Sequence, residues 1–308
     1  MRRAQPVNEL AARLRREVRG QILLNEPLSP YTSWRLGGPA DVLVLPASLD
    51  DVAAVQELAR ERGVPVTVLG GGSNVLIADS GLRGVVVRIG RPLSAVRITD
   101  DVVEAECGAP FPRIGRLTVQ RGLTGLEFAG GVPGTLGGAL AMNAGAHDQS
   151  TAAVVLEVTA VDARGRVVRL SREDMDFSYR SSRLQKEPGL VAVKAKLRLR
   201  EASPAEVRER MRAFMERRRR TQPVGTKNAG SVFKNPPGDF AGRLVEAAGC
   251  KGMAVGDAMV SPMHANFIIN RGAATADDVR RLIEKVQTAV FERFGVELAP
   301  EVRMLGFA

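Results

Sequence analysis

Three observations make the sequence that of an α+β protein. Its 308 residues are 44% hydrophobic and 25% charged, close to the average of globular chains and enough for a sizeable buried core. Apolar residues recur with a period of two in some stretches and at three- to four-residue spacing in others, and the two textures alternate along the chain. Two glycine clusters, near residues 70 and 130, follow strand-like runs. A chain of this length accommodates about two or three compact parts.

Leu10, Leu14 and Val18, after Asn8, give one apolar helical stripe ended by Gly20. A strand over residues 41–45 leads through Pro46 into a helix over residues 49–62, with Ser48 as N-cap and Gly63 as stop. VPVTVLGGGSN is a β-branched run that empties into glycine. From Gly84 the texture is mostly β, in GVVVRI, AVRIT and VVEAEC, followed by a helix over residues 114–120 and a glycine-rich segment over residues 130–145. Residues 153–162 and 165–170 read as a hairpin around Arg164-Gly165. Val191, Val193, Ala195, Leu197 and Leu199 alternate with Ala192, Lys194, Lys196, Arg198 and Arg200, which predicts a strand with one buried face.

Ser203-Pro204-Ala205-Glu206 combines an N-cap serine, a proline at the first helical position and a glutamate able to complete a capping box. A new unit therefore starts here with a helix that runs into the arginines at 217–220. A helix over residues 240–248 ending at Gly249, a strand over residues 266–269, and a long helix over residues 276–294 between Thr275 and Gly295 complete the chain.

Composition narrows the function. The net charge is +10, but 37 of the 44 basic residues are arginines spread along the chain, and aromatic residues are only 4%, leaving few rings on which bases could stack. A small anionic substrate accounts for the sign as well as a nucleic acid does, and no nucleic-acid partner is expected. Cys107 and Cys250 are too few for a disulfide framework, and with His147 and His264 as the only histidines no metal site is expected. The first twenty residues lack the apolar core of a secretory signal, and no stretch approaches the ~20 apolar residues of a spanning helix. The expectation is a cytoplasmic protein without a membrane partner.

The clusters Gly70-Gly71-Gly72-Ser73-Asn74 and Gly130-Gly131-Val132-Pro133-Gly134-Thr135-Leu136-Gly137-Gly138 each admit two readings, a tight turn or a cradle of backbone N–H groups for a pyrophosphate. Two clusters after strand-like runs, each with a hydroxyl, favour a bound dinucleotide. Neither carries the Rossmann or Walker spacing, which points to a flavin fold of another type.

GGGSN, GLEFAGGVPGTLGGALAMNAGA, SYRSS at residues 178–182, NAGSVFKNP at 228–236, HANFIIN at 264–270 and PEVRMLG at 300–306 occur together in this order. The set resembles the UDP-N-acetylenolpyruvoylglucosamine reductase family of bacterial cell-wall synthesis, from roughly residue 31 to residue 306. The resemblance implies a vanillyl-alcohol-oxidase-type FAD fold, with flavin-holding parts at residues 1–90 and 91–202 and a substrate domain with a catalytic C-terminal strand at residues 203–308. It also implies reduction of an enolpyruvyl ether on a UDP-sugar to a lactyl ether, by NADPH through FAD.

By the same resemblance Ser231 is the proton donor, Arg180 meets the substrate carboxylate, and Glu301, protonated through a raised pKa, hydrogen-bonds it. Gly70, Gly71, Gly72, Ser73, Asn74, Gly131, Pro133, Gly134, Thr135, Gly137, Gly138, Asn143 and Gly145 would hold FAD. Tyr179, Arg218, Gln222, Lys234, Asn235, His264 and Arg303 would meet substrate, with Lys234 and Asn235 on a strand-to-turn segment after Ser231 and Arg303 sharing the face of Glu301 if that segment is a strand. His147 reads as a loop residue. No tyrosine follows Tyr179, so the chain resembles the shorter variant without a closing tyrosine loop. Two other readings stay open: a flavoprotein of the same fold acting on another alcohol or ether, and a basic nucleic-acid-binding protein.

Overall fold

The computed structural model describes residues 4–307; residues 1–3 and 308, and the side chains of residues 4–6 and 8, lie outside the described residues. The N-terminal stretch read for a signal and the helix-flanking Asn8 fall partly there. In the first half of the chain the elements are α1 (Ala4–Glu17), β1 (Gln21–Pro27), β2 (Pro39–Leu45), α2 (Leu49–Glu61), β3 (Val66–Leu69), β4 (Val75–Ile77), β5 (Leu82–Arg88), β6 (Val96–Thr99), β7 (Val102–Glu106), α3 (Phe111–Gln120), β8 (Leu123–Thr124), α4 (Leu136–Ala141), β9 (Gly145–Ala146) and β10 (Gln149–Ser150). Then come β11 (Val155–Val161), β12 (Val167–Ser171), α5 (Arg183–Lys186), β13 (Val191–Arg198), β14 (Arg200–Glu201), α6 (Pro204–Thr221), α7 (Ala241–Ala247), β15 (Ala254–Val255), β16 (Ala258–Val260), β17 (Ile268–Asn270), α8 (Ala276–Phe294) and β18 (Arg303–Leu305).

Two compact units share these elements, each assembled from separated stretches. The first takes the chain up to Glu26, Ala40–Gly71 and Arg83–Glu216; the second takes Pro27–Pro39, Gly72–Leu82 and the chain from Arg217.

The first unit holds a four-stranded sheet of order β1-β2-β5-β3 and a five-stranded sheet of order β12-β11-β13-β7-β6. Ser48 caps α2, its hydroxyl accepting from Asp51 N at 3.1 Å, and α2 lays Val52, Val55 and Leu58 on the core. Val42, Val85 and Val87 of one sheet and Val103, Val158, Val191 and Leu197 of the other belong to one continuous apolar cluster. The β11–β12 hairpin pairs antiparallel around Gly165, as the Arg164-Gly165 turn predicts. In β13 the apolar alternation is buried as predicted, and Ala192 on the opposite face is buried as well, because the strand is central, between β11 and β7.

The second unit packs around Trp34, which is fully buried with Nε1 donating to Ile268 O at 2.8 Å. β15-β16-β17 form an antiparallel sheet, and β18 lies parallel to β4. The ends of α8 are where the sequence puts them. Thr275 and Asp278 form a reciprocal capping box, and Gly295 closes the helix at φ +66°, a left-handed conformation that costs a side-chain-bearing residue about 1 kcal/mol. Asp79 braces the same N-terminus, its carboxylate accepting from Ala276 N and Asp277 N at 2.9 and 3.0 Å.

Three local expectations need correction. The strand foreseen at residues 266–269 is β17, Ile268–Asn270. Residues 231–235 form no strand beyond one bridge, Phe233 to Pro300, because a side chain, Asn266, occupies the place of a backbone partner. The C-terminal strand starts at Arg303, two residues beyond Glu301, so Glu301 precedes it and the shared-face argument for Arg303 does not apply. Among the described residues no helix is long and apolar enough to cross a membrane.

Candidate active site

In the first unit the two glycine clusters meet. Gly70 and Gly71 leave the end of β3 against the Gly134-Thr135 backbone: a Cβ on Gly70 would stand 2.6 Å from Thr135 Oγ1, and one on Gly71 2.7 Å from Gly134 Cα. Only glycine allows that approach. Behind them Gly137 N donates to Cys107 O at 2.8 Å and Phe111 N to Gly134 O at 2.9 Å, fixing the second loop to the five-stranded sheet and α3. Thr135 caps α4, its hydroxyl facing Gly138 N at 3.4 Å. A Cβ on Gly138 would meet nothing nearer than Thr135 Oγ1, at 3.8 Å. Gly131 ends a short 3-10 helix, Glu127–Gly131, and Pro133 lies on the stretch between it and Gly134. Neither cluster contains a carboxylate. The open space over Gly138, between glycine loops that carry no acidic side chain, suits the close approach of an anionic group such as the pyrophosphate of FAD, so the residues present fit that cofactor.

The GGGSN loop continues into the second unit. Gly72 O there accepts from Ser33 N at 3.0 Å, and Ser73 follows. Asn74 Nδ2 donates to Glu301 O and Asn74 O accepts from Arg303 N, both at 3.1 Å. A residue expected at the flavin is thus bonded to the segment that carries Glu301.

Arg180 belongs to the first unit. Ser178 and Ser181 exchange both backbone hydrogen bonds, at 3.1 and 3.2 Å, which leaves Tyr179 and Arg180 at the tip of a tight turn. Arg180 sits at φ +55°, a conformation costing a non-glycine residue of order 1–3 kcal/mol that the tight turn holds in place. Its guanidinium lies 5.1 Å over the exposed Tyr179 ring, and Nη2 donates to Gly145 O at 3.0 Å. Asn143 steadies the turn from below, donating to Ser178 O at 3.0 Å while accepting from Ala152 N at 3.0 Å. Asn143 and Gly145, expected as flavin contacts, therefore also bear on Arg180. His147 stacks face to face on Phe214 at 4.0 Å.

Ser231 and Glu301 belong to the second unit, on adjoining segments. Glu301 N donates to Val232 O at 2.7 Å and Lys234 N to Ala299 O at 2.9 Å, so the two segments are held in register. Asn235 Oδ1 accepts from Ala241 N at 3.1 Å and is spent on the start of α7. His264 is half-buried, accepts from Asn266 N through Nδ1 at 3.2 Å, and packs edge-on to Phe267. Burial, with Lys251 nearby, pushes its pKa below the ordinary histidine value, so the ring is neutral at pH 7. Arg303 is exposed.

The second unit also holds a cleft of about 530 Å³, lined among others by Arg219, Gln222, Val224, Ser261, Met263 and Ile269. Gln222 Oε1 is buried there and, among the described residues, has no hydrogen-bond partner. An orphaned acceptor in a mainly apolar cleft beside an arginine suits a flat ring with an N–H and an anionic group. Arg218 shares a helical face with Val207 and Met211, is half-buried, and has its guanidinium pKa pushed down by that burial. The residue that lines the cleft with Gln222 is Arg219, not the Arg218 that the resemblance implies. The i, i+3 spacing from Arg219 to Gln222 was the available signal.

Residues 222–305 match the family model described as UDP-N-acetylenolpyruvoylglucosamine reductase, C-terminal domain, and residues 40–171 match an FAD binding domain. The chain is 49% identical over 282 residues to the UDP-N-acetylenolpyruvoylglucosamine reductase of Rubrobacter xylanophilus, covering 92% of this chain and 94% of the relative. It is 47% identical over 292 residues to that of Heliobacterium modesticaldum, covering 94% and 93%. A crystal structure of UDP-N-acetylenolpyruvylglucosamine reductase from Thermus caldophilus superposes with a TM-score of 0.80 at 34% identity, covering 94% of this chain and 99% of that one.

Proposed function

The chain belongs to the UDP-N-acetylenolpyruvoylglucosamine reductase family, and we propose that it reduces the enolpyruvyl ether of UDP-N-acetylglucosamine to UDP-N-acetylmuramate, with NADPH as reductant, in the cytoplasm. It is an FAD-dependent oxidoreductase. FAD, when bound, supplies the hydride that adds to the terminal vinyl carbon. The rest of the chemistry falls to side chains. The electron pair displaced from the double bond moves toward the carboxylate, where Arg180 neutralises charge and Glu301, as a carboxylic acid, donates a hydrogen bond. Ser231 Oγ gives its proton to the adjacent carbon, a transfer a weak acid can make only to a strongly basic enolate.

We assign the apposed loops at Gly70-Gly71 and Gly131–Gly138, with Gly72, Ser73, Asn74, Asn143 and Gly145, to FAD. Residues 217–308 take the UDP-sugar; the boundary expected at residue 203 moves to residue 217, because residues 204–216 belong to the first unit. Gln222 Oε1 accepts from a pyrimidine N–H, Arg219 faces the diphosphate with Arg218 beside it on the helix, and Tyr179, Lys234, Asn235, His264 and Arg303 complete the contacts. The observation that carries the reading is the register between Val232 and Glu301, which keeps the proton donor and the carboxylate partner on neighbouring segments. Anaerobic NADPH should bleach the flavin, and enolpyruvyl-UDP-N-acetylglucosamine should restore its absorbance with stoichiometric product. Bleaching without restoration would point to a flavoprotein with another acceptor.

A further inference from the structure

The carboxamide of Asn266 has no part in the chemistry proposed above, yet the residue is 3% exposed and both the oxygen and the nitrogen of the amide are hydrogen-bonded. Its Oδ1 accepts from Phe233 N and its Nδ2 donates to Phe233 O, each at 2.9 Å, while Asn266 O accepts from Val232 N at 2.9 Å. One residue thus supplies the bonds of a neighbouring strand where the backbone ladder has a gap. On the far side of the same segment Glu301 N and Lys234 N bind Val232 O and Ala299 O. The residues immediately after Ser231 are clasped from two directions, and Asn266 is itself aimed by the bond from its N–H to His264 Nδ1.

An apolar side chain would fill this space without the cost of burying an amide, so the two bonds to Phe233 are what the position provides. Their consequence falls on Ser231. A hydroxyl donor must stand within hydrogen-bond reach of the carbon it protonates, and its location is set by the backbone of the next two residues. We propose that Asn266 is a positioning residue for proton transfer: its carboxamide holds Val232-Phe233 in register with Glu301 and so fixes the place of Ser231 Oγ. The inference rests on Ser231 being the donor.

The test is a double-mutant cycle in the FAD-loaded protein, with Asn266→Ala, Ser231→Ala and the pair. Asn266→Asp is a second probe if alanine does not fold: it keeps the acceptor for Phe233 N–H and sets an oxygen against Phe233 O. In either Asn266 variant flavin reduction by NADPH should stay within about twofold of the parent, while single-turnover product formation falls roughly 10–100-fold, the cost of a misplacement near 1 Å. Hydrogen exchange should quicken in the peptide 229–236 and stay unchanged in 254–260. On the Ser231→Ala background, Asn266→Ala should add less than about threefold, because the group it positions is gone. Multiplicative losses, equal slowing of both half-reactions, or unchanged product formation in a variant whose 229–236 peptide exchanges faster would overturn the inference and leave the Ser231 reading standing. Normal turnover in Ser231→Ala alone would remove that reading, and the inference with it.

Discussion

Gly138 and Gly71 sit in the same pair of loops, and alanine at the two sites should have opposite effects. At Gly71 the new methyl would lie 2.7 Å from Gly134 Cα and 3.2 Å from Gly134 C, both backbone atoms that cannot rotate away. Overpacking of this kind costs about 1–3 kcal/mol, so Gly71→Ala should lower the melting temperature of the flavin-free protein. At Gly138 the methyl would meet only Thr135 Oγ1 at 3.8 Å, and the residue is helical. Replacing a helix glycine with alanine gains about 0.5–1 kcal/mol, so flavin-free Gly138→Ala should be as stable as the parent or more so. If the open space over Gly138 is where FAD approaches the backbone, the same methyl should weaken FAD by at least about 1.4 kcal/mol, a tenfold rise in Kd. Titration of deflavinated protein with FAD, followed by flavin fluorescence, measures the second effect, and a melt of the same sample measures the first. A Gly138→Ala protein that binds FAD as tightly as the parent would refute the cradle and leave the second glycine cluster as a turn.

Other outcomes are equally specific. Acid precipitation should release all the flavin into the supernatant, since His147 lies past the flavin motif and is stacked on Phe214, and the thiol before the motif, Cys107, is fully buried; colour in the pellet would show covalent attachment. Ser231→Ala should still bind FAD and accept hydride from NADPH, while product formation falls about 10²–10⁴-fold; normal turnover would reduce Ser231 to turn structure. Glu301→Gln should keep more activity than Glu301→Ala, because the amide retains a donor for the enolate. If a hydrogen bond to a charge is worth about 1.5–3 kcal/mol, alanine should lose at least about tenfold in flavin reoxidation by substrate, with reduction by NADPH less affected, and equal slowing of both steps would mark Glu301 as structural.

Local rules carried most of the secondary structure. The helix over residues 276–294 was legible to the residue because its start and stop are decided by the side chains at its ends, Thr275, Asp278 and Gly295, through bonds spanning at most four positions. The helix after Ser48 and the hairpin around Gly165 are of the same kind. What the sequence hid is long-range. Val75–Ile77 is too short to register as a strand, and it exists because Arg303–Leu305 lies parallel to it. Nothing near residue 75 announces a partner at the far end of the chain.

The site divides along the same line. Glycine clusters are visible because their physics is local, in the conformations and approaches that a missing Cβ permits. Ser231 and Glu301 came into view through the family resemblance, since a serine after glycine and a glutamate after proline carry no chemistry by themselves. Their placement depends on bonds that no spacing rule anticipates: Asn74 to the Glu301 backbone, Glu301 to Val232, and Asn266 to Phe233. In each of these an uncharged amide or a backbone group, rather than a titratable residue, does the holding. An asparagine in a β-rich sequence reads as a turn former, and its use as a surrogate strand can be recognised only once its two partners on Phe233 are in place. Positions of this type are where a sequence-derived list of catalytic groups falls short, because the list records which atoms react and omits the bonds that decide where those atoms stand.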